Sequence, residues 1–535
     1  MELRRICSIS VICAVALSAM ALPAKRGGIV RTAADGTEKT VFLHGNAFSH
    51  YMTDAEGNWL DEETLQPMSA EAKKARIEAN VSRAQVRRVQ QEKQLGGELN
   101  LAPRGLLILV SYKDKAFSTP KDTMENMLNG ENFTRSYSYE YTYGGKNYSQ
   151  SVQSSGSARQ YFHDQSWGQY NPIFDVVGPY TVSEDLDFYG KNDSQGNDQH
   201  VGELISEACK LADADGVDFT LYDNNNDGNV DFVYVIYAGY GEADGGAKNT
   251  VWPHNYDMLY YYQYDGLEKC IVDGKTVRNY ACSNEIQYYA DVYAGIGTFC
   301  HEFSHVLGLP DLYVTVDMSN PPHTLCDWDI LDYGPYNNDG NTPPAYSAYE
   351  RFYMGWLKPR VLDKDEAVTL NPLNDSKEAL LMCKEDTHNL VGNDPNPTEF
   401  FILENRKQEG WDQYLPGKGM LITKIKYSYK KWANNTVNNT ASAMGVDLME
   451  ATANTGDYGK AKDAYPAGAK TFYGLDNHSI ENIRLTSGVI TFNFTIGAQG
   501  IEDVETGEAA QKILRDGQIL IIRGGKTYDL NGREL

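Results

Sequence analysis

No cysteine stands between Cys13 and Cys209, so nothing in that stretch can offer a thiolate to a metal or to a cross-link. The chain has eight cysteines; beyond Cys7 and Cys13, six remain: Cys209, Cys270, Cys282, Cys300, Cys326 and Cys383. Their spacing matches no zinc-finger pattern, and they are too few for a disulfide-built scaffold. Cationic charge is scarce as well. Lys and Arg number 48 against 73 Asp and Glu, a formal net charge of -25, which excludes a nucleic-acid binder because that class needs a positive footprint. After residue 21 no apolar run is long enough to cross a bilayer. No internal repeat is present, which excludes a solenoid.

What is there is a globular composition, 41% hydrophobic and 23% charged, with 37 Tyr and 48 Gly that point to a loop-rich protein outside the cytoplasm. At 535 residues the chain exceeds one core, and about three or four folding units are expected. Arg4 and Arg5, the apolar run Ile6 to Ala21 and the small-x-small triplet Ala19-Met20-Ala21 read as a signal peptide over 1–21. Residues 22–104 read as a pro-segment: short β-like stretches, then a polar helix-favouring run from Ser69 to Leu95. Pro103-Arg104-Gly105 then precedes an abrupt apolar strand, and Arg104 is a place for a processing protease to cut. Strands and helices mix over 105–358, as in an α+β domain, with helices expected at 295–307 and 343–354. Short alternating runs over 359–498 predict a β-sandwich-like domain, and 499–535 forms a tail with a strand at Ile519 to Ile522.

The chemistry concentrates in His301-Glu302-Phe303-Ser304-His305. On a helix, His301 and His305 stand one turn apart on one face, so both imidazoles reach one zinc ion, while Glu302 is set to hold the attacking water. Ile296, Phe299, Phe303, Val306 and Leu307 supply the apolar opposite face. Gly308 can end the helix in a left-handed conformation and Pro310 keeps it from resuming, so Asp311 returns as third ligand. Two His and one carboxylate leave a position open, as catalytic zinc requires. Zinc would activate the water, Glu302 would move the proton from that water to the leaving amine, and a further donor would hold the oxyanion.

A second ion site is expected in Asp223 to Asp231 (DNNNDGNVD). Asp223, Asn225, Asp227, Asn229 and Asp231 supply oxygens around a turn at Gly228, matching the first half of a calcium loop. The bidentate Glu of a full EF-hand is missing, so this is a calcium site at a strand entry.

His301 to Tyr313 (HEFSHVLGLPDLY) resembles the immune inhibitor A type of secreted metallopeptidases, zincins that share features with metzincins. Further matches are the loop 223–231 running into VYVIYAGYGEA, Val251 to His254, Trp328 to Gly334, the helix Ala345 to Leu357, Leu403 to Arg406, Pro416-Gly417 and Gly419 to Leu421. The resemblance implies a zincin-like catalytic domain, a secreted zinc endopeptidase acting on proteins or peptides, calcium, and an N-terminal segment removed on activation. Residues 328–334 are similar to the turn that carries a Met beneath the metal, with Leu331 in its place. Tyr333 then corresponds to a Tyr that approaches the active site, and is the candidate oxyanion donor. Metzincins use His where this chain has Asp311, and Glu350 is the alternative third ligand, as a downstream-helix Glu is in thermolysin-like enzymes. The tail is similar to C-terminal segments of proteins exported by the type IX route. A rival class is a non-catalytic surface adhesin or glycan-binding protein on a peptidase scaffold, marked by loss of a ligand or base. Here His301, Glu302 and His305 are intact. A zinc hydrolase of non-peptide substrates is the other rival.

Overall fold

The computed structural model describes residues 20–497 and 511–528, apart from 34, 48, 88–103, 144–145, 194–195, 317–321, 453–458, 476–477, 516–517 and 524–525. Most of the expected signal peptide, the end of the polar helix with the 88–103 boundary, and the closing 529–535 lie outside the described residues.

A six-stranded sheet organises the central unit, in the order Met20–Ala21, His254–Asp257, Asn279–Asn284, Val233–Tyr237, Arg104–Ser111 and Ile173–Thr181. The four strands from Asn279–Asn284 to Ile173–Thr181 run parallel, whereas His254–Asp257 and Met20–Ala21 add antiparallel at one side. The apolar run after Arg104 is buried on both faces, as a covered parallel strand must be. Leu106, Ile108 and Val110 share a core with the helix Val201–Ala214, while Leu107 and Leu109 face the core beneath the helix Gly297–Val306. Phe299 and Phe303 seat that second helix against Phe174, Tyr234 and Phe232. Val306 does not join this face as expected: the helix ends there, and the side chain is 37% exposed.

The N-terminal residues build a four-stranded sheet, Gly28–Thr32, Glu38–Asn46, Ser49–Thr53 and Trp59–Leu60, followed by the helix Ala70–Arg87. Its small core, with Ile29, Val41 and Leu60, closes against Ala243 and Trp252 of the central unit.

Beyond Pro359 two sheets share one core. One has the order Arg360–Val361, Leu380–Met382, Glu399–Arg406, Gly419–Lys426 and Val446–Leu448; the other, Glu366–Leu370, Val489–Ile496, His478–Thr486 and Phe472–Leu475. Phe401, Leu403, Met420 and Ile422 meet Ile480, Ile490 and Phe492 between them. The alternate residues Phe400, Ile402, Leu421 and Ile425 point the other way, into the core that holds Phe299 and Phe303. The tail forms three antiparallel strands, Gln511–Arg515, Gln518–Arg523 and Lys526–Tyr528. The helix expected at 343–354 is shorter, Ala348–Tyr353. Pro343 and Pro344 delay its start, Ser347 caps it, and Gly355 at φ 74° ends it.

Candidate metal centre

The helix Gly297–Val306 carries His301, Glu302 and His305, all buried. Gly308 follows at φ 103°, the left-handed turn expected of it, and the Leu309 amide donates back to the Ser304 carbonyl. The reversed chain brings Asp311 to the histidines. Its Oδ1 lies 3.3 Å from Nε2 of His301 and 3.3 Å from Nε2 of His305, and the two Nε2 atoms are 3.2 Å apart.

Each ring is fixed from behind. Nδ1 of His301 is 2.7 Å from the Ile330 carbonyl, and Nδ1 of His305 is 2.8 Å from the Leu309 carbonyl. The bond network thus assigns the proton to Nδ1 in both rings and turns both Nε2 lone pairs inward. Asp311 Oδ1 is buried without a hydrogen-bond partner, as is Glu302 Oε2. Two imidazole lone pairs and a carboxylate oxygen therefore converge with no proton between them, a donor set that fits a cation. Atoms of His301, Glu302 and His305 also lie within 4.8 Å of one another. Asp311, at 3.3 Å from both rings, is the nearer carboxylate.

Burial alone would raise the Asp311 carboxyl, but the flanking imidazoles overcome it and hold it well below the usual carboxylate range. Burial lifts Glu302 to about 8 against the pull of His301. It lowers His305, while at His301 the neighbouring Asp311 and Glu302 carboxylates outweigh it and raise the ring.

The residues holding Asp311 come from the second unit. Asn435 Nδ2 donates to Asp311 Oδ2 at 2.6 Å, and Asn435 Oδ1 accepts from the Asp311 amide at 2.7 Å. Asn438 donates to the Leu312 carbonyl at 2.7 Å, and Asn439 Oδ1 accepts the Thr315 amide at 2.9 Å. Sequence reasoning missed this clamp; its one signal is the Asn-rich run Asn434 to Asn439, which reads only as a turn. The Tyr313 phenol also sits beside the Asp311 carboxylate.

Glu350 is not brought to the histidines. Its Oε2 accepts the Ser347 amide at 2.5 Å in a capping box that starts its own helix. Leu331 is fully buried beneath the site, where its carbonyl accepts the Leu312 amide at 2.8 Å and its neighbour Ile330 holds His301. The Tyr333 ring lies 3.8 Å from the Arg26 guanidinium, and burial lifts its phenol to about 12.

An extended stretch of the N-terminal residues crosses the centre. Met20 and Ala21 pair antiparallel with Asn255 and His254 of the neighbouring strand. The Leu22 amide donates to Glu302 Oε1 at 3.0 Å, Trp252 Nε1 donates to the Leu22 carbonyl at 3.0 Å, and Tyr336 donates to the Pro23 carbonyl at 2.7 Å.

In the loop 223–231 the expected oxygens turn toward one another. Asp223 Oδ1 accepts the Asp227 amide at 3.0 Å, Asn225 Oδ1 accepts it at 2.9 Å, and Asp227 Oδ1 accepts the Asn229 amide at 2.8 Å. Asp231 Oδ2 accepts the Asn224 amide at 2.6 Å. Asp223 Oδ2 carries an ammonium, Lys275 Nζ at 2.6 Å, which holds its carboxyl below the ordinary value. Phe232, just after the loop, touches Phe303 of the site helix.

Comparison with known proteins points to metallopeptidases. Residues 97–357 match the family model of the immune inhibitor A peptidase catalytic domain. The chain is 26% identical over 283 residues to the pre-pro-metalloprotease PrtV of Vibrio cholerae serotype O1, covering 47% of this chain and 30% of that protein. It is also 26% identical over 276 residues to immune inhibitor A of Bacillus thuringiensis subsp. alesti, covering 46% of this chain and 39% of that protein. The match thus spans under two-fifths of the length of either relative. Among the described residues no helix is long and apolar enough to cross a membrane. Over residues 97–357, the chain thus matches the immune inhibitor A family of metallopeptidases.

Proposed function

We propose that the protein is a secreted zinc endopeptidase that hydrolyses peptide bonds of proteins, with His301, His305 and Asp311 as metal ligands and Glu302 as general base. One observation carries this reading: two Nε2 lone pairs and an unpartnered Asp311 oxygen meet at 3.2–3.3 Å with both Nδ1 atoms tied back to carbonyls. Nitrogen and oxygen donors of this kind, three in number, suit zinc with an open position. Zinc held there supplies Lewis acidity to the scissile carbonyl and to a water.

The chain's own groups do the rest. Glu302, lifted by burial, accepts a proton from the water and returns it to the leaving nitrogen. Its Oε1 already takes a hydrogen bond from the Leu22 amide nitrogen, the contact a scissile amide would make when it receives that proton. Tyr333, protonated at neutral pH, is the donor for the oxyanion. The strand His254–Asp257 offers its backbone to the residues before the scissile bond, as it does to Met20 and Ala21.

The contacts of Leu22, Pro23 and Lys25 support residues 22–104 as a pro-segment that covers the cleft until it is removed, following a signal peptide at 1–21. The catalytic unit then spans 105–358, the β-sandwich-like unit 359–498, and the tail 499–535. The loop 223–231 is assigned a structural calcium ion that takes the place of the Lys275 ammonium. The deciding experiment is metal analysis of the purified secreted protein alongside casein digestion with and without a chelator. About one zinc per chain and chelator-sensitive cleavage are expected; folded protein free of transition metal would refute the reading.

A further inference from the structure

The peptide segment that crosses the centre buries the Leu22 and Ala24 side chains and bonds through its main chain. Leu22 N–H meets Glu302, the Leu22 carbonyl accepts from Trp252, the Pro23 carbonyl from Tyr336, and the Lys25 amide donates to the Ala243 carbonyl at 2.9 Å. Any extended peptide supplies those groups, so they carry no sequence preference. The Lys25 side chain is different. Its ammonium enters a pocket at the end of the cleft, 3.0 Å from Asp244 Oδ1 and 3.3 Å from Asp339 Oδ1, with the Tyr289 ring centroid at 5.2 Å.

Both carboxylates are placed by the central unit. Asp244 Oδ2 accepts the Tyr288 amide at 2.9 Å, and Asp339 Oδ2 accepts the Tyr137 hydroxyl at 3.1 Å. That leaves one oxygen of each turned to the ammonium. Asn338 and Asp339 sit at φ 49° and φ 58°, a left-handed pair before Gly340 that presents Asp339 to the pocket. Once the segment departs, the two shielded carboxylates lose their ammonium, with Arg135 near Asp339 as the remaining cation, and a cationic side chain of a substrate takes its place.

We propose that Asp244 and Asp339 form a substrate subsite for a lysine or arginine side chain, three residues beyond the residue whose amide meets Glu302. This rests on the peptidase reading given above. The leaving-group side of the cleft therefore selects basic residues at that position, while the main-chain contacts accept any sequence.

The test uses enzyme processed beyond residue 104, with casein as reporter substrate. Peptides of the sequence 18–28 serve as competitors, carrying Lys, Arg, norleucine or Glu at the place of Lys25. Lys and Arg peptides should inhibit at least about tenfold more tightly than norleucine, with Glu weakest, because a shielded charge pair is lost. In the Asp244→Asn/Asp339→Asn enzyme the discrimination should vanish. Equal inhibition by the Lys and norleucine peptides, or no competition by any of them at millimolar concentration, overturns the subsite while leaving the peptidase reading intact. Should the double variant not fold, the norleucine comparison on the unaltered enzyme decides alone. Failure of the peptidase reading shows separately, as metal-free protein that never cleaves casein.

Discussion

Asn435 grips Asp311 with both ends of its amide, donating to Oδ2 at 2.6 Å and accepting the backbone N–H at 2.7 Å from 124 residues away in sequence. The grip leaves Oδ1 free to face the two imidazoles. Asn435→Asp keeps the acceptor and exchanges the donor for a second carboxylate. Zinc affinity should fall by about 10- to 100-fold, read by competition with a chromophoric chelator. Unchanged affinity would remove Asn435 from the positioning of the ligand.

Glu302→Gln preserves size and the contact to a peptide nitrogen but cannot take a proton. Casein cleavage should drop by about 10²–10⁴ in kcat with zinc content unchanged, measured on the same preparation. Residual activity near that of the parent would exclude Glu302 as the base.

Lys275 occupies Asp223, so a calcium ion in the loop, as proposed, would have to displace it. Calcium at millimolar concentration should raise the melting temperature of the parent, and Lys275→Met should bind calcium more tightly still. Calorimetric titration showing no binding to either form would leave the loop as a turn held by its own hydrogen bonds and the lysine.

Burial raises the Asp329 carboxyl to about 7, beyond what its bond from the Leu331 amide offsets. Its unfolded value is about 4, so below that pH both states hold the proton and no penalty exists. As pH climbs through the interval the unfolded chain releases its proton first, and stability falls. Asp329→Asn keeps the acceptor and removes the slope. Its advantage over the parent in denaturant unfolding should therefore grow between pH 4 and 7, then level off, reaching on the order of 2–4 kcal/mol. A pH-independent difference would show that the carboxyl titrates normally.

The site's first ring of residues was legible because its chemistry is local. His301 and His305 are separated by one helical turn, and Gly308 fixes where the chain goes next, so Asp311 follows from spacing. Glu350 also read as a possible ligand, since a sequence does not reveal that Ser347 would claim its carboxylate as a cap. Asn435 was invisible for the opposite reason. Its partner lies in another unit, and an Asn beside another Asn looks like an ordinary turn. The apolar strand after Arg104 and the short strands beyond residue 358 were readable from pattern. The hairpin Thr134–Tyr143 and Lys146–Ser155 was not anticipated, because its serines, glutamines and tyrosines carry no continuous apolar stripe.

The sheet containing Glu399–Arg406 is covered on both sides, and one of those sides is the floor of the central unit. The matched family model ends at residue 357, but the packed core continues beyond it. A fragment trimmed to the matched segment would bare a greasy underside and lose the asparagine that holds Asp311. The smallest piece that keeps this packing intact therefore extends well past the stretch matched by the family model.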